Sequence, residues 1–160
     1  MANPFTWRHG TVTIKDGAGT PLSFVLPAGE GGISMSNIVE GNAEAVALYS
    51  RSAFEGMVKG QDSTQEGSIT VRLPSTAGLT DGAAARLLDV VRKAGTFASA
   101  TTKDPFGVMW AVQIEIDFDD GTNTGKIVLP CARISASVEE GQEGDTVEIS
   151  YTNYQVPTYT

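Results

Sequence analysis

Glu115 and Asp117 stand two residues apart in the run Val108-Met-Trp-Ala-Val-Gln-Ile-Glu-Ile-Asp-Phe118. A glycoside hydrolase works with such a carboxylate pair, one as acid and one as nucleophile or base, when a cleft holds them around a sugar. Successive side chains of a strand point to opposite faces, so Gln113, Glu115 and Asp117 share one face. Carbohydrate clefts draw on more aromatics than two Trp and four Tyr offer. An enzyme built on these two acids is therefore the weakest reading, and the pair is better taken as the polar side of an amphipathic strand.

The other reactive residue types are sparse. His9 is the single histidine, and it sits beside Trp7 and Arg8 near the terminus. A Ser-His-Asp or Cys-His arrangement would have to use it, and a surface or assembly contact fits its position better. A zinc site needs several Cys and His ligands, and the chain has one of each. Cys131 follows Pro130 in an apolar stretch and reads as a buried small hydrophobe; alone, it can form no internal disulfide. Asp117 to Asn123 has the look of a calcium loop, but Gly121 stands where an oxygen ligand belongs and no glutamate closes it, so a hairpin turn is expected. Glu139 to Asp145 holds four carboxylates in seven residues. It reads as a solvated hairpin loop, with calcium coordination or a functional acidic surface as the alternatives. Ala28-Gly-Glu-Gly-Gly32 is glycine-rich, but no lysine follows and no helix begins there, so it is no phosphate cradle. These residues assign no catalytic group, no cofactor and no metal.

The elements that would carry these residues are mostly strands. Val108, Trp110, Val112, Ile114, Ile116 and Phe118 alternate with polar neighbours, which predicts a half-buried antiparallel strand over 108–118 with its even positions in the core. Similar alternation marks strands at 10–15, 21–27, 46–51, 69–73, 126–129, 134–138 and 147–152. A strand is also allowed at 33–39. Pro130 is expected to interrupt its ladder, and 153–160 reads as a polar, aromatic tail. One helix is expected over about 81–94, with Ala84, Leu87, Leu88 and Val91 on one stripe, Thr80 or Asp81 as cap and Gly95 at the left-handed C-terminal position. The segments 28–44 and 52–66 read as long irregular connections. The expected fold class is mainly β: a single domain over 1–160, an antiparallel sandwich or barrel with one flanking helix.

At 160 residues, with 41% hydrophobic and 19% charged, the chain can bury a core without disulfides or metals. No apolar run approaches the roughly 20 residues of a membrane span, and the N-terminus has no signal-peptide pattern, so synthesis in a cytoplasm is expected. The net charge is −8, unevenly spread. Residues 1–100 carry eight basic and nine acidic groups, whereas 101–160 carry three and ten. Such a chain repels a phosphate backbone, which disfavours tight nucleic-acid binding and suits a surface that nucleic acid must slide past.

The succession of these segments resembles a known family. The chain opens on the hairpin Gly10-Thr-Val-Thr-Ile-Lys-Asp-Gly17. A long connection follows, with Tyr49-Ser-Arg51 and Gly56-Met-Val-Lys-Gly-Gln-Asp62. Then come Gly67-Ser-Ile-Thr-Val-Arg-Leu73, one helix, and Gln113-Ile-Glu-Ile-Asp-Phe118, Ile127-Val-Leu-Pro-Cys131 and Val147-Glu-Ile-Ser-Tyr-Thr-Asn-Tyr154. This is similar to the major tail tube protein of long-tailed, non-contractile bacteriophages, over nearly the whole chain and through diffuse patterns. Related tubes serve contractile tails, type VI secretion and gene transfer agents. The resemblance implies a β-sandwich flanked by a helix, joined edge to edge into stacked hexameric rings. It implies a virion protein made in the host cytoplasm, with tape-measure and tail terminator proteins as partners and DNA passing without specific binding. The long connections 28–44 and 52–66 would then order against neighbouring subunits. Gln113, Glu115, Asp117 and Glu148 are the candidates for the lumen. The alternative from another class is a carbohydrate-binding β-sandwich, with calcium at Glu139 to Asp145.

Overall fold

A computed structural model describes residues 6–26, 31–35, 43–51, 53–62, 64–72, 82–119, 122–139 and 146–160. The fold is mainly β, with antiparallel sheets and a single α-helix. The strands are β1 (Thr6–Lys15), β2 (Ser23–Leu26), β3 (Gly31–Met35), β4 (Ala43–Ser50), β5 (Ala53–Asp62), β6 (Gln65–Arg72), β7 (Val112–Asp119), β8 (Thr124–Glu139), β9 (Thr146–Asn153) and β10 (Thr158–Tyr159). The helix α1 spans Gly82–Arg92 and a 3-10 turn follows at Gly95–Phe97. In the large sheet the order is β2-β1-β7-β8-β9-β6-β3, with β10 also on β8.

The 16-residue β8 is the hinge of the architecture. Its first half pairs with β7 and β10, and its second half, from Ala132, pairs with β9. The register to β7 slips between Ile114↔Leu129 and Val112↔Ala132, leaving an extra residue on β8 at Pro130 and Cys131. A bulge tolerates a residue without an N–H and bends the strand. Pro130 was expected to interrupt the ladder, and it does so as this bulge, while the strand itself runs on through it. One end of the molecule is thus a sheet β2-β1-β7-β8-β10 and the other a sheet β8-β9-β6-β3. Both turn their apolar sides to one core of Val12, Ile14, Ile69, Ile114, Ile116, Leu129, Val147 and Ile149, all essentially inaccessible. Each contributes about 1.5–3 kcal/mol of transfer free energy.

The bulge leaves the Cys131 N–H without its ladder partner, and Asn153 replaces it: its Oδ1 accepts from Cys131 N at 3.1 Å. Its Nδ2 donates to Gln65 Oε1 at 2.6 Å and to the carbonyl of Gln155. Tyr154 N donates to Cys131 O at 2.9 Å, and the chain continues as β10 along the same edge of β8. The expected polar tail is therefore a strand. The Cys131 thiol is buried, and that burial, with the nearby Asp104 charge, pushes its pKa up. Across β9, Gly67 lies opposite Tyr151, whose hydroxyl donates to Ser34 O at 3.2 Å. A Cβ at position 67 would stand 2.0 Å from that carbonyl, so glycine is what lets the ring lie across β6.

α1 covers the open side of the core with Leu87 and Val90, while Val91 packs at its margin. The candidate caps Thr80 and Asp81 and the stripe residue Ala84's side chain lie outside what is described. The helix ends in a Schellman pattern, with Ala94 N donating to Asp89 O and Lys93 N to Val90 O. Lys93, at φ 53°, holds the left-handed position expected of Gly95; Gly95 is left-handed as well, two residues later. Lys93 is compensated by its ammonium, 5.4 Å over the Trp110 ring. Trp110 is half-buried, its Nε1 donating to Val90 O at 2.8 Å. The strand expected from 108 begins only at Val112, and Val108 is 82% exposed, so the first even position is not in the core.

The segment 52–66 was expected to be irregular, yet β5 runs through it and pairs with β4 as a separate two-stranded sheet. Alternation fails there because neither face is buried. Val46 and Leu48 lie across from Val58 and Gly56 on one face. Ala47 lies across from Met57, and Tyr49 meets Phe54 edge to face at 5.9 Å, on the other. Of the 28–44 connection, Gly31–Met35 is β3 and β4 begins at Ala43; residues 36–42 lie outside the described set. No helix among the described residues is long and apolar enough to cross a membrane.

Candidate functional site

The four lumen candidates fall on two different surfaces. Gln113, Glu115 and Asp117 occupy the outer face of the β2-β1-β7-β8-β10 sheet, opposite Lys15, Thr13 and Thr11 of β1 and beside Lys126 of β8. Glu148 occupies the outer face of the β8-β9-β6-β3 sheet, between Ser137 and Thr70. Two sheets that share one core turn their outer faces away from each other. The structure therefore brings the first three residues together and keeps Glu148 apart.

Glu115 is nearly inaccessible, at 8% exposure, although it is on the outer face. Its Oε1 accepts from Lys15 Nζ at 2.9 Å and from Gln113 Nε2 at 2.7 Å, and Lys126 Nζ approaches its Oε2 at 3.4 Å. Lys126 also reaches Asp117 Oδ1 at 3.4 Å, and Thr11 Oγ1 donates to Asp117 Oδ2 at 3.4 Å. Burial pushes the Glu115 pKa up, but the hydrogen bond and charge of Lys15, together with Lys126, outweigh it and hold the carboxyl below its ordinary value. Lys126 is raised by the charges of Glu115 and Asp117. Two lysines thus face Glu115 and Asp117, with Asp119 next along the same face of β7. No general acid or base with an unpaired lone pair aimed at a cleft emerges from it.

The ion pairs stabilise the carboxylate form, so their contribution is complete above the ordinary glutamate value of 4.5 and fades as the pH falls through the lowered folded value. Glu115→Gln should cost about 1–2 kcal/mol at neutral pH, kept small because both lysines are partly solvated. Urea denaturation at stepped pH should show the gap between wild type and variant closing only below about pH 4.5; a gap that persists unchanged in acid would assign it to packing instead.

The second outer face is lined by hydroxyls. Ser34, Ser68, Ser150 and Ser135 stand in one row across β3, β6, β9 and β8. Neighbouring rows pair Glu66, Thr152 and Arg133, and Thr70, Glu148 and Ser137. A shallow cleft opens over Gly67, among Ser34, Glu66, Ser150, Tyr151 and Thr152. By register Glu66, Glu139, Glu148 and Arg133 stand on this face, and so does Arg72, opposite Thr146. The serine row escaped the sequence reading because each serine was visible as a polar alternate but the register that aligns them was not. Lys15 and Lys126 were missed for the same reason.

Among the described residues no group of three or more His, Cys, Asp or Glu is placed to hold a metal. The loop from Glu140 to Asp145, and Asp120-Gly121, lie outside them, as do the His9 side chain and the run 27–30. No protein-family model matches this chain, and no curated protein is significantly similar to it.

Proposed function

We propose that this chain is a non-enzymatic structural subunit that self-assembles into stacked hexameric rings, the tail tube of a long-tailed bacteriophage, through which DNA passes. The observation that carries this reading is the β4–β5 hairpin. It presents Val46, Leu48, Tyr49, Phe54, Met57 and Val58 to solvent on both faces and packs on no other strand or helix to a comparable extent. Contiguous apolar surface of this kind marks an interaction site. The outer strands β2 and β3 add to it. Ser-Phe-Val-Leu and Gly-Gly-Ile-Ser-Met carry neither the charge nor the proline that soluble proteins place on free edges. Edges of this type pair with edges of other copies.

The hydroxyl face with Glu148 suits a conduit wall better than the ion-paired face with Gln113, Glu115 and Asp117. Its central row of serines is short and uncharged, and Glu148 beside it repels phosphate over about 8 Å at physiological salt. Tape-measure and terminator proteins remain the partners that the family resemblance implies, and the virion the expected location.

Sedimentation velocity and electron microscopy across a concentration series test the reading. Rings or tubes of uniform diameter are expected. Phe54→Asp with Met57→Asp should hold the chain monomeric with an unchanged melting temperature, because both side chains are solvent-exposed. A monomer at every concentration that binds glycans would favour the carbohydrate-binding alternative.

A further inference from the structure

We infer that Asp16-Gly17 is a covalent modification site of the unfolded chain, where it closes to a succinimide and reopens as isoaspartate, and that the native fold requires this pair while blocking its reaction. This holds whatever the chain assembles into.

The chemistry needs only water. The Gly17 nitrogen attacks Cγ of Asp16; a C–N bond forms, the bond from Cγ to the carboxyl OH breaks, and water leaves with the amide proton. Water then adds to the Asp16 main-chain carbonyl and breaks its bond to nitrogen. The chain now runs through Cβ and Cγ, the former main-chain carbonyl is a free carboxylate, and the mass is restored. Glycine in the second position favours the closure, because no Cβ hinders the nitrogen and the backbone turns freely. The chain holds Asp-Gly at 16, 81 and 120.

At position 16 the fold dictates both halves of the pair. A Cβ on residue 17 would overlap the Thr102 carbonyl, so only glycine fits. Asp16 is buried, and its carboxylate fixes the β1–β2 turn by accepting from the Leu22, Ala18 and Thr101 amides. The same contacts shut the reaction down. The N–H of the attacking nitrogen donates to Thr101 O at 2.6 Å. Oδ1 is held by Ala18 N and Leu22 N and Oδ2 by Thr101 N, so Cγ reaches the Gly17 nitrogen only when these bonds break. Burial also keeps away the water that opens the ring. The reaction therefore waits for the turn to open.

Isoaspartate at position 16 does not return to the fold. It lengthens the main chain by one methylene, shortens the arm that carries the carboxylate, and leaves the Leu22 and Thr101 amides without their acceptor. Unfolded chains thus age irreversibly, whereas folded ones keep Asp16.

The test holds two samples of the full chain, one folded and one in urea, at the same neutral pH and temperature. Isoaspartate is read by isoaspartyl methyltransferase labelling and peptide mass spectrometry. In urea all three Asp-Gly pairs should convert at similar rates. In the folded chain position 16 should convert about a hundredfold more slowly, or more slowly still. After the urea is removed, chains that regain protease resistance should carry aspartate at position 16, with isoaspartate confined to the digested fraction. Equal conversion at 16 in both samples would overturn the inference. So would refolded chains that carry isoaspartate there with an unchanged melting temperature, or a position 16 that stays intact in urea while 81 and 120 convert.

Discussion

Asp16→Ala is expected to lower stability by about 3–5 kcal/mol, a fall of roughly 10 °C in melting temperature for a domain of this size. Asp16 is 2% exposed, and among the described residues backbone amides hold it. Its Oδ1 accepts from Leu22 N at 2.9 Å and Ala18 N at 3.3 Å, and its Oδ2 from Thr101 N at 3.0 Å. Removing the carboxylate leaves three part-buried backbone donors without their acceptor, which costs more than the bonds themselves contribute. The same contacts pin the β1–β2 turn to the segment after the helix. Gly17 N donates to Thr101 O, and a Cβ at Gly17 would lie 2.2 Å from Thr102 O. Asp16 therefore also positions Thr102, whose hydroxyl donates to Met109 O and accepts from Ala111 N across the following loop. Thermal denaturation of Asp16→Ala and Asp16→Asn checks this, with the amide variant intermediate because one oxygen survives. A shift of only a degree or two in the alanine variant would mean that the turn re-forms around water.

Asn153→Ala should cost a comparable amount, about 3–4 kcal/mol, by a different route. Asn153 is 1% exposed and its partner Gln65 3%. The alanine leaves the Cys131 N–H buried and unmatched and removes the Asn153 donor from Gln65 Oε1, at the point where β8 passes from one sheet to the other. Because Asn153 and Gln65 share one network, Gln65→Ala should add little in the Asn153→Ala background. A double-mutant cycle in urea is the measurement, and strict additivity would show that the two side chains act independently.

How much of this was legible beforehand depends on where burial enforces a pattern. Val112, Ile114 and Ile116 alternate because one side of β7 meets the core, and that strand and its polar face were read from the sequence. Leu87 and Val91 marked the helix in the same way. β5 (Ala53–Asp62) was missed because its described side chains, Phe54, Met57 and Val58 among them, are exposed on both faces, so no alternation is selected, and Gly56 and Gly60 mimic a loop. The break at Pro130 was read, but not that a single strand runs on through it, because a bulge is a property of two strands together and invisible in either one. The outer-face chemistry is likewise a matter of register. Glu115 was correctly placed on a polar face, but Lys15, 100 residues earlier, could not be assigned to it without knowing that β1 lies beside β7.

That separation has a consequence for synthesis. β7, β8 and β9 are consecutive and can zip as a local meander, whereas β1 must wait for a partner about a hundred codons downstream. At ribosomal speeds the wait is roughly 5–20 s. During it the β1–β2 hairpin is on its own, with Val12, Ile14 and Phe24 uncovered, and an isolated two-stranded hairpin is marginal in water. The nascent N-terminal third therefore carries uncovered apolar side chains until β7 emerges. The β4–β5 hairpin, which pairs only with itself, can form at once, whereas the large sheet is complete only when the C-terminal meander has emerged to receive β1 and β6.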